Sequence, residues 1–509
     1  MPRTSKLLFG VAPPDLPAPT ERACPGWLGL EVWDDTYRLC NPYHQTYAEN
    51  PFIWGKIQTL KMNQYQYDVA VIGAGPGGME AARYAGQKGL KVALVSNTRI
   101  GGRAVWSSLV PSKAWLALAE KIDGLRHLAG MGARGVDYVP GLDQLRQRIA
   151  VQSQLASQYR LEELEAAGVS FLFGDGKLKD AHTVEVTTEG EPTRAITARF
   201  TIIASGSGPR FLPDAKPNKN RIFAPKIAPA IPEIPKSLIM AGGGVTGTEY
   251  AYAFAALGAR VAVLQSGQHL LPRMDVDVAE AFRKYLQEHY DISFHPGEAI
   301  ASMQQEGDKV VATTVNGAAY EADYGFIAIG RVPDLSFFDA NELPLALSKE
   351  GMVAIDDLGR TSIPGLYAIG DVTGTPMTAN RAGMQARVAV QHILEGDGSS
   401  LRPSYFIEAA YTNPPIAQIG DMSPGPGTHF ITKSFNSLLK ANIMGEPEGM
   451  LKVKVRDRDG LILGAAGFGA HFTDVAGIIQ VAMNNKIAYE KLGEIPLAHP
   501  SISEVLSAL

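Results

Sequence analysis

Twice along this chain a short run of consecutive apolar residues ends in clustered glycines and gives way to an alanine-rich, helix-forming stretch. Tyr67 to Ile72 (YDVAVI) is apolar and β-branched, the pattern of a buried strand, and runs into GAGPGG and then MEAARYAGQKG. Leu238 to Ala241 leads in the same way into GGGVTG, then TEYAYAFAALG, then a new apolar run, RVAVL. Strand, glycine turn and helix in that order predict an α/β fold built from two such units.

The glycine spacing gives the turns a purpose. The first glycine of each, Gly73 or Gly242, allows a tight strand-to-helix turn. The second, Gly75 or Gly244, lets the backbone approach a pyrophosphate, and the third, Gly78 or Gly247, lets the helix pack on the strand. The helix N-terminus then stabilises the phosphate charge. One such turn is weak evidence; two predict two Rossmann-type dinucleotide sites.

Length and charge narrow the reading. At 509 residues the chain has room for three or four domains. A net charge of −5 without a Lys/Arg cluster supports neither a nucleic-acid surface nor a polybasic anchor. No stretch approaches the eighteen or so apolar residues of a membrane span, and LLFGVA near the start runs too soon into Pro-Pro for a signal-peptide core, so a cytoplasmic location is expected. The two cysteines, Cys24 and Cys40, are too few for a disulfide framework or a four-ligand metal site. They are either incidental thiols or a redox pair acting from outside the nucleotide units.

Beyond the two turns, the intervening text carries a resemblance. Gly101 to Lys113 (GGRAVWSSLVPSK), Thr201 to Pro213 (TIIASGSGPRFLP), Phe326 to Asp334 (FIAIGRVPD), TSIPGLYAIGDVTGTPMTANRAGMQA around Asp371, and LAHPSISEV near the C-terminus stand in order. Together they resemble the pyridine nucleotide-disulfide oxidoreductases of the dihydrolipoamide dehydrogenase type, over about Gln66 to Leu509. The resemblance implies an N-terminal extension at 1–65, an FAD-binding domain at 66–215, an NAD(P)-binding domain at 216–332, a central FAD-contacting domain at 333–401, and an α+β dimerisation domain at 402–509, hence a homodimer. FAD and NAD(P)H are the implied cofactors. By the same resemblance, cofactor positions fall on Gly102, Arg103, Gly176, Ser205, Gly206, Gly330, Arg331, Gly370, Thr378 and Ala379, while Asp371 accepts a hydrogen bond from the ribityl chain.

The departures decide the chemistry. Where the family carries its two redox cysteines, GGTCxxxxCxPSK, this chain has Ala104 and Leu109, which carry no electrons. Lys113 and Glu249 match the lysine and glutamate beside the flavin's reactive edge, and His499 with Glu504 matches a dyad that reaches across the dimer. His499 then either protonates another acceptor or is kept as an interface hydrogen bond. Trp106 either fills volume with Leu109 or offers a stacking platform to an aromatic acceptor. The acid that binds the FAD adenosine ribose is replaced by Ser96 with Asn97, which predicts a looser hold on FAD. In the second unit the equivalent residue is Gln265, 18 positions beyond Gly247, with no arginine directly beside it, which tips the expectation toward NAD.

The expected function is therefore an FAD-dependent NAD(P)H oxidoreductase passing electrons directly to a small-molecule acceptor that is not a disulfide, a quinone being the leading class. The alternatives are a disulfide reductase using Cys24 and Cys40, and a non-catalytic nucleotide-binding subunit of a complex. The N-terminal extension, Pro-rich and then dense in Trp, Tyr and Phe, is read as an arm over the dimer or as a docking surface for a protein partner or lid.

Overall fold

The computed structural model describes residues 64–130, 132, 141–399, 401 and 404–507; Cys24, Cys40 and the aromatic segment before Gln64 lie outside them. Strand β1 (Tyr67–Ile72) sits inside a seven-stranded sheet with β2 (Val92–Ser96), β3 (Ser170–Phe173), β4 (Asp175–Asp180), β5 (Thr183–Thr187) and β6 (Arg194–Ile203), in the order β3-β2-β1-β6-β5-β4. It runs parallel to both neighbours, with Val69 opposite Val92 on one side and Phe200 on the other. Val69 and Val71 face one apolar cluster while Ala70 and Ile72 face another. That is why the run shows no polar alternation: both faces are covered. Helix α1 (Pro76–Gln87) covers one of them through Met79, Ala81, Ala82 and Ala85.

Three helices follow β2 before the chain re-enters the sheet: α2 (Gly102–Ser107), α3 (Leu109–Gly130) and α4 (Leu142–Ala166). The break between α2 and α3 falls at Ser108, whose φ of −138° and ψ of −77° are not helical.

Strand β7 (Ser207–Pro209) leads out to a second parallel sheet. It is formed by β8 (Ile222–Phe223), β9 (Ser237–Ala241), β10 (Arg260–Gln265), β11 (Ile292–Pro296) and a returning strand at Tyr324–Ile327. Helix α5 (Val245–Ala256) follows β9, and α6 (Val276–His289) follows β10. A three-stranded antiparallel layer, β12 (Ile300–Glu306), β13 (Lys309–Thr314) and β14 (Ala319–Ala322), precedes that return strand, β15 (Tyr324–Ile327). β16 (Arg331–Pro333) then pairs antiparallel with β7, setting Pro333 opposite Ser207.

The chain now comes back to the first sheet. β17 (Leu366–Ala368) lies parallel to β6, and α7 (Ala379–Glu395) packs beside α1. The remaining residues build a five-stranded antiparallel sheet, β18 (Ile407–Ala410), β19 (Ile416–Gly420), β20 (Thr428–Ser434), β21 (Met450–Arg456) and β22 (Ile462–Phe468), in the order β18-β19-β22-β21-β20, with α8 (Phe472–Asn484) on it. Among the described residues, no helix is long and apolar enough to cross a membrane.

Candidate functional site: a cleft between the two glycine turns

At the end of β1 the chain turns through Gly73 at φ +106°. A β carbon on Gly73 would stand 2.3 Å from the Ala204 carbonyl oxygen, and one on Gly78 would stand 1.9 Å from the Gly73 oxygen, so helix and strand meet only because both are bare. At Gly75 nothing lies within 4 Å, and the position opens on a cleft of about 970 Å³. Gly75 caps α1 without any side-chain hydrogen bond, which leaves the first helical N–H groups available to an anion.

The cleft runs from this turn past the ends of β2 and β4 in one direction and to the N-termini of α5 and α7 in the other. Of the residues expected to hold cofactor, Gly73, Gly75, Ser96, Gly102, Arg103, Gly176, Ser205, Gly206, Arg331, Gly370, Asp371, Thr378 and Ala379 line it, as do Lys113 and Glu249. Gly78, Gly242, Gly244, Gly247, Gln265, Gly330, His499 and Glu504 do not. Gly78 acts behind the wall, as the packing contact just described.

Polar groups converge at the middle of the cleft. Ser207 Oγ donates to Asp371 Oδ2 at 2.5 Å, and Arg331 Nε donates to Ser207 Oγ at 2.7 Å while standing 3.6 Å from Asp371 Oδ2. Arg103 reaches the Ser207 carbonyl and pairs with Asp334 at 2.6 Å. Burial pulls the Arg331 guanidinium below its usual value, with Asp371 opposing that shift. One oxygen of Asp371 is thus committed, and Oδ1 has no protein donor among the described residues. Thr378, at the N-cap of α7, has a buried hydroxyl with no partner. An unmet buried hydroxyl costs about 1–3 kcal/mol, so the wall is built for a polar ligand that meets it.

Lys113, fifth residue of α3, and Glu249, fifth residue of α5, form the charged centre of the site. Their side chains meet at 2.5 Å, with Glu249 5 % exposed and Lys113 32 % exposed. The same carboxylate oxygen accepts the Tyr411 backbone N–H at 3.0 Å, and the Lys113 ammonium lies 4.3 Å from the centre of the Tyr411 ring. Burial and the nearby Glu249 carboxylate push the Tyr411 and Tyr250 hydroxyls above the usual tyrosine range. Helix α5 is buried on nearly every side, from Gly247 through Ala256. A carboxylate on such a helix meets little water, and the lysine offsets its charge.

Beside this pair stand the positions where the cysteines are missing. Ala104, Ser108, Leu109 and Ser112 line the cleft there, and Leu109 is 43 % exposed. Trp106, expected at this wall either as filler or as a platform, is not part of it. Its indole N–H donates to the Ile100 carbonyl at 2.9 Å, and the Arg99 guanidinium lies 4.8 Å from its ring centre. A six-residue helix points Trp106 off the face that carries Ala104.

Other expected residues find specific employment. Gln265 Oε1 accepts the Gly243 N–H at 2.8 Å and so braces the second glycine turn. Ser96 Oγ accepts the Thr98 N–H at 3.2 Å and lies 3.0 Å from the Thr98 hydroxyl. His499 Nδ1 is 2.7 Å from Glu504 Oε1, and that hydrogen bond holds the Glu504 carboxyl below its usual range. The His499 side chain is 66 % exposed and points to no group of its own chain's cleft.

The sequence reading passed over Ser207, Asp334, Tyr411 and Asp175. Ser207 and Asp334 sit inside the motif segments that carry the resemblance, which is a usable signal, whereas Tyr411 lies between two of them. Asp175 had only its neighbour Gly176 to point to it.

Comparison with known proteins agrees with this geometry. The family model for pyridine nucleotide-disulphide oxidoreductases matches residues 67–386, and that family's dimerisation-domain model matches 408–509. A dihydrolipoyl dehydrogenase of Chlamydia muridarum is 31 % identical over 454 residues, covering 86 % of this chain and 95 % of the relative. An NAD(P)H dehydrogenase (quinone) of Mycobacterium tuberculosis is 28 % identical, covering 86 % and 91 %. The crystal structure of LpdA from Mycobacterium tuberculosis superposes with a TM-score of 0.80 at 28 % identity, covering 86 % of this chain and 98 % of that one. The glycine turn, the unmet Thr378 hydroxyl and the free Asp371 oxygen fit the FAD of this family. The chain belongs to the pyridine nucleotide-disulphide oxidoreductases and is a flavin-dependent oxidoreductase of the dihydrolipoamide dehydrogenase type, with a C-terminal dimerisation domain.

Proposed function

We propose that this chain, as a homodimer, transfers electrons from NAD(P)H through FAD to an acceptor that is not a disulfide, and that the acceptor is a quinone or another conjugated carbonyl. The observation that carries the reading is the pairing of an intact Lys113–Glu249 centre with Ala104 and Leu109 on the adjoining wall. FAD, when bound, supplies the two-electron carrier between nicotinamide and acceptor. Lys113 presents a fixed positive charge at the centre of the cleft, and Glu249 keeps it there. Asp371 and the α7 N-terminus with Thr378 orient the cofactor along the wall. The apolar surface left by Ala104 and Leu109 accepts a flat carbonyl compound better than a charged disulfide substrate. His499 of a second copy, held by Glu504, supplies the proton that such an acceptor needs. NADH is the preferred donor in this reading, because no arginine stands directly beside Gln265 to hold a 2′-phosphate.

The test is steady-state oxidation of NADH by the purified protein with a naphthoquinone, lipoamide and glutathione disulfide in turn. Turnover with the naphthoquinone and none above background with the two disulfides is expected. Efficient turnover of lipoamide would overturn the reading.

A further inference from the structure

At the far end of the same cleft, where the adenosine half of a dinucleotide lies if FAD occupies it, the usual acid is missing from the end of β2. Ser96 stands there, buried, with its hydroxyl engaged by Thr98 at 3.0 and 3.2 Å. A hydroxyl so employed has little left for a ribose. The next residue, Asn97, reaches out of the strand and donates its amide N–H to Asp175 Oδ1.

Asp175 is brought there by backbone geometry. The Gly174 N–H donates to the Ser96 carbonyl at 3.0 Å, which fastens the start of β4 to the end of β2 across a long stretch of chain. A β carbon on Gly176 would stand 2.9 Å from Val95 Cγ1 and 3.4 Å from Ile72 Cγ2, so β4 passes this close only because the residue after Asp175 has no side chain. Ser96, Asn97, Thr98, Asp175 and Gly176 all line the cleft. With Oδ1 held by Asn97, Asp175 Oδ2 has no protein donor among the described residues. The oxygen left free is a charged acceptor for a ribose hydroxyl, the role an acid at this end of the nucleotide site ordinarily fills.

We propose that Asp175, positioned by Asn97, accepts the hydrogen bonds of the adenosine ribose of FAD, in place of a side chain at the end of β2. This rests on FAD occupying the cleft, as the proposed function holds. It also replaces the looser hold expected from Ser96 and Asn97 alone with an ordinary, charge-assisted one.

Binding of flavins to the apoprotein, followed by quenching of flavin fluorescence, tests it without any turnover. The probes are FAD, an FAD analogue with 2′-deoxyadenosine, and FMN, which lacks the adenosine. The wild-type protein should favour FAD over the deoxy analogue by about tenfold, the worth of one charge-assisted hydrogen bond. Asp175→Asn should lower FAD affinity by about tenfold and level the two, while FMN binding stays unchanged and shows that the fold is intact. Ser96→Ala should leave the preference in place. The proposal is overturned if Asp175→Asn keeps both wild-type FAD affinity and the preference for the ribose hydroxyl, or if Ser96→Ala abolishes that preference. Folded wild-type protein that binds neither FAD nor FMN would instead overturn the cofactor reading beneath it.

Discussion

The two glycine turns are nearly the same object in backbone and quite different in surroundings. Gly73 and Gly242 turn at φ +106° and +102°, and Gly75 and Gly244 cap their helices at φ −76° and −77°. The third glycine of each would put a β carbon 1.9 or 1.8 Å from the first glycine's oxygen. Yet α1 buries half of its residues, mostly on one face, while α5 is buried all round against β9, α3 and the C-terminal sheet. Both middle glycines, Gly75 and Gly244, stand open with nothing within 4 Å, but only the first turn lines the cleft; the helix after the second is set in the core and lends that cleft a carboxylate, Glu249. The same open turn thus leads into a one-faced helix in one place and, in the other, into a core helix that mounts a buried charge. The glycine pattern alone does not distinguish them.

The largest effects should come from filling the third glycine of each turn. Gly78→Ala forces a backbone carbonyl aside, at about 3 kcal/mol or more, and should cost at least a hundredfold in FAD affinity, so the purified protein would be colourless. Gly247→Ala should leave the yellow colour and remove reduction by NADH. Colour loss from Gly247→Ala with Gly78→Ala still yellow would reverse the assignment of the two turns.

Next in size is the charge that the second turn contributes. Lys113→Met leaves Glu249 buried with the Tyr411 N–H as its remaining donor, at about 3 kcal/mol of stability, the low end for a broken pair because the lysine is partly exposed. Thermal unfolding should fall accordingly. Glu249→Gln keeps an acceptor but removes the charge, and should slow reduction by NADH about tenfold, or ~1.4 kcal/mol. Wild-type reduction rates in both variants would mean the pair is only structural.

How much of this was legible beforehand follows from the range of each signal. Strand, turn and helix are written locally, so both glycine units and the start of α7 at Ala379 can be read from a dozen residues each. The Lys113–Glu249 contact spans 136 positions and could be anticipated only through motif resemblance. Trp106 was misplaced because its direction depends on a six-residue helix that periodicity cannot orient. Gln265 stands where a ribose ligand is expected, and its oxygen also holds Gly243, a bond no composition argument predicts. Asp175 escaped notice because a hydrogen bond between strand ends brings it to the cleft, and nothing in the residues around it announces that.

A smaller effect separates the two turns by their ribose ends. Gln265→Glu introduces the carboxylate that the second turn lacks, and should raise discrimination against NADPH about tenfold through repulsion of the 2′-phosphate, ~1.4 kcal/mol. The ratio of kcat/KM for NADH to that for NADPH measures it. An unchanged ratio would place the ribose away from β10.

The central claim is that electrons leave the flavin without passing through a dithiol, and anaerobic reductive titration of the FAD-loaded protein tests it most directly. The account predicts that about two electrons per FAD complete the reduction, the capacity of the flavin alone, with no long-wavelength thiolate-to-flavin band. Uptake of four electrons per FAD, with such a band at the half-way point, would contradict it.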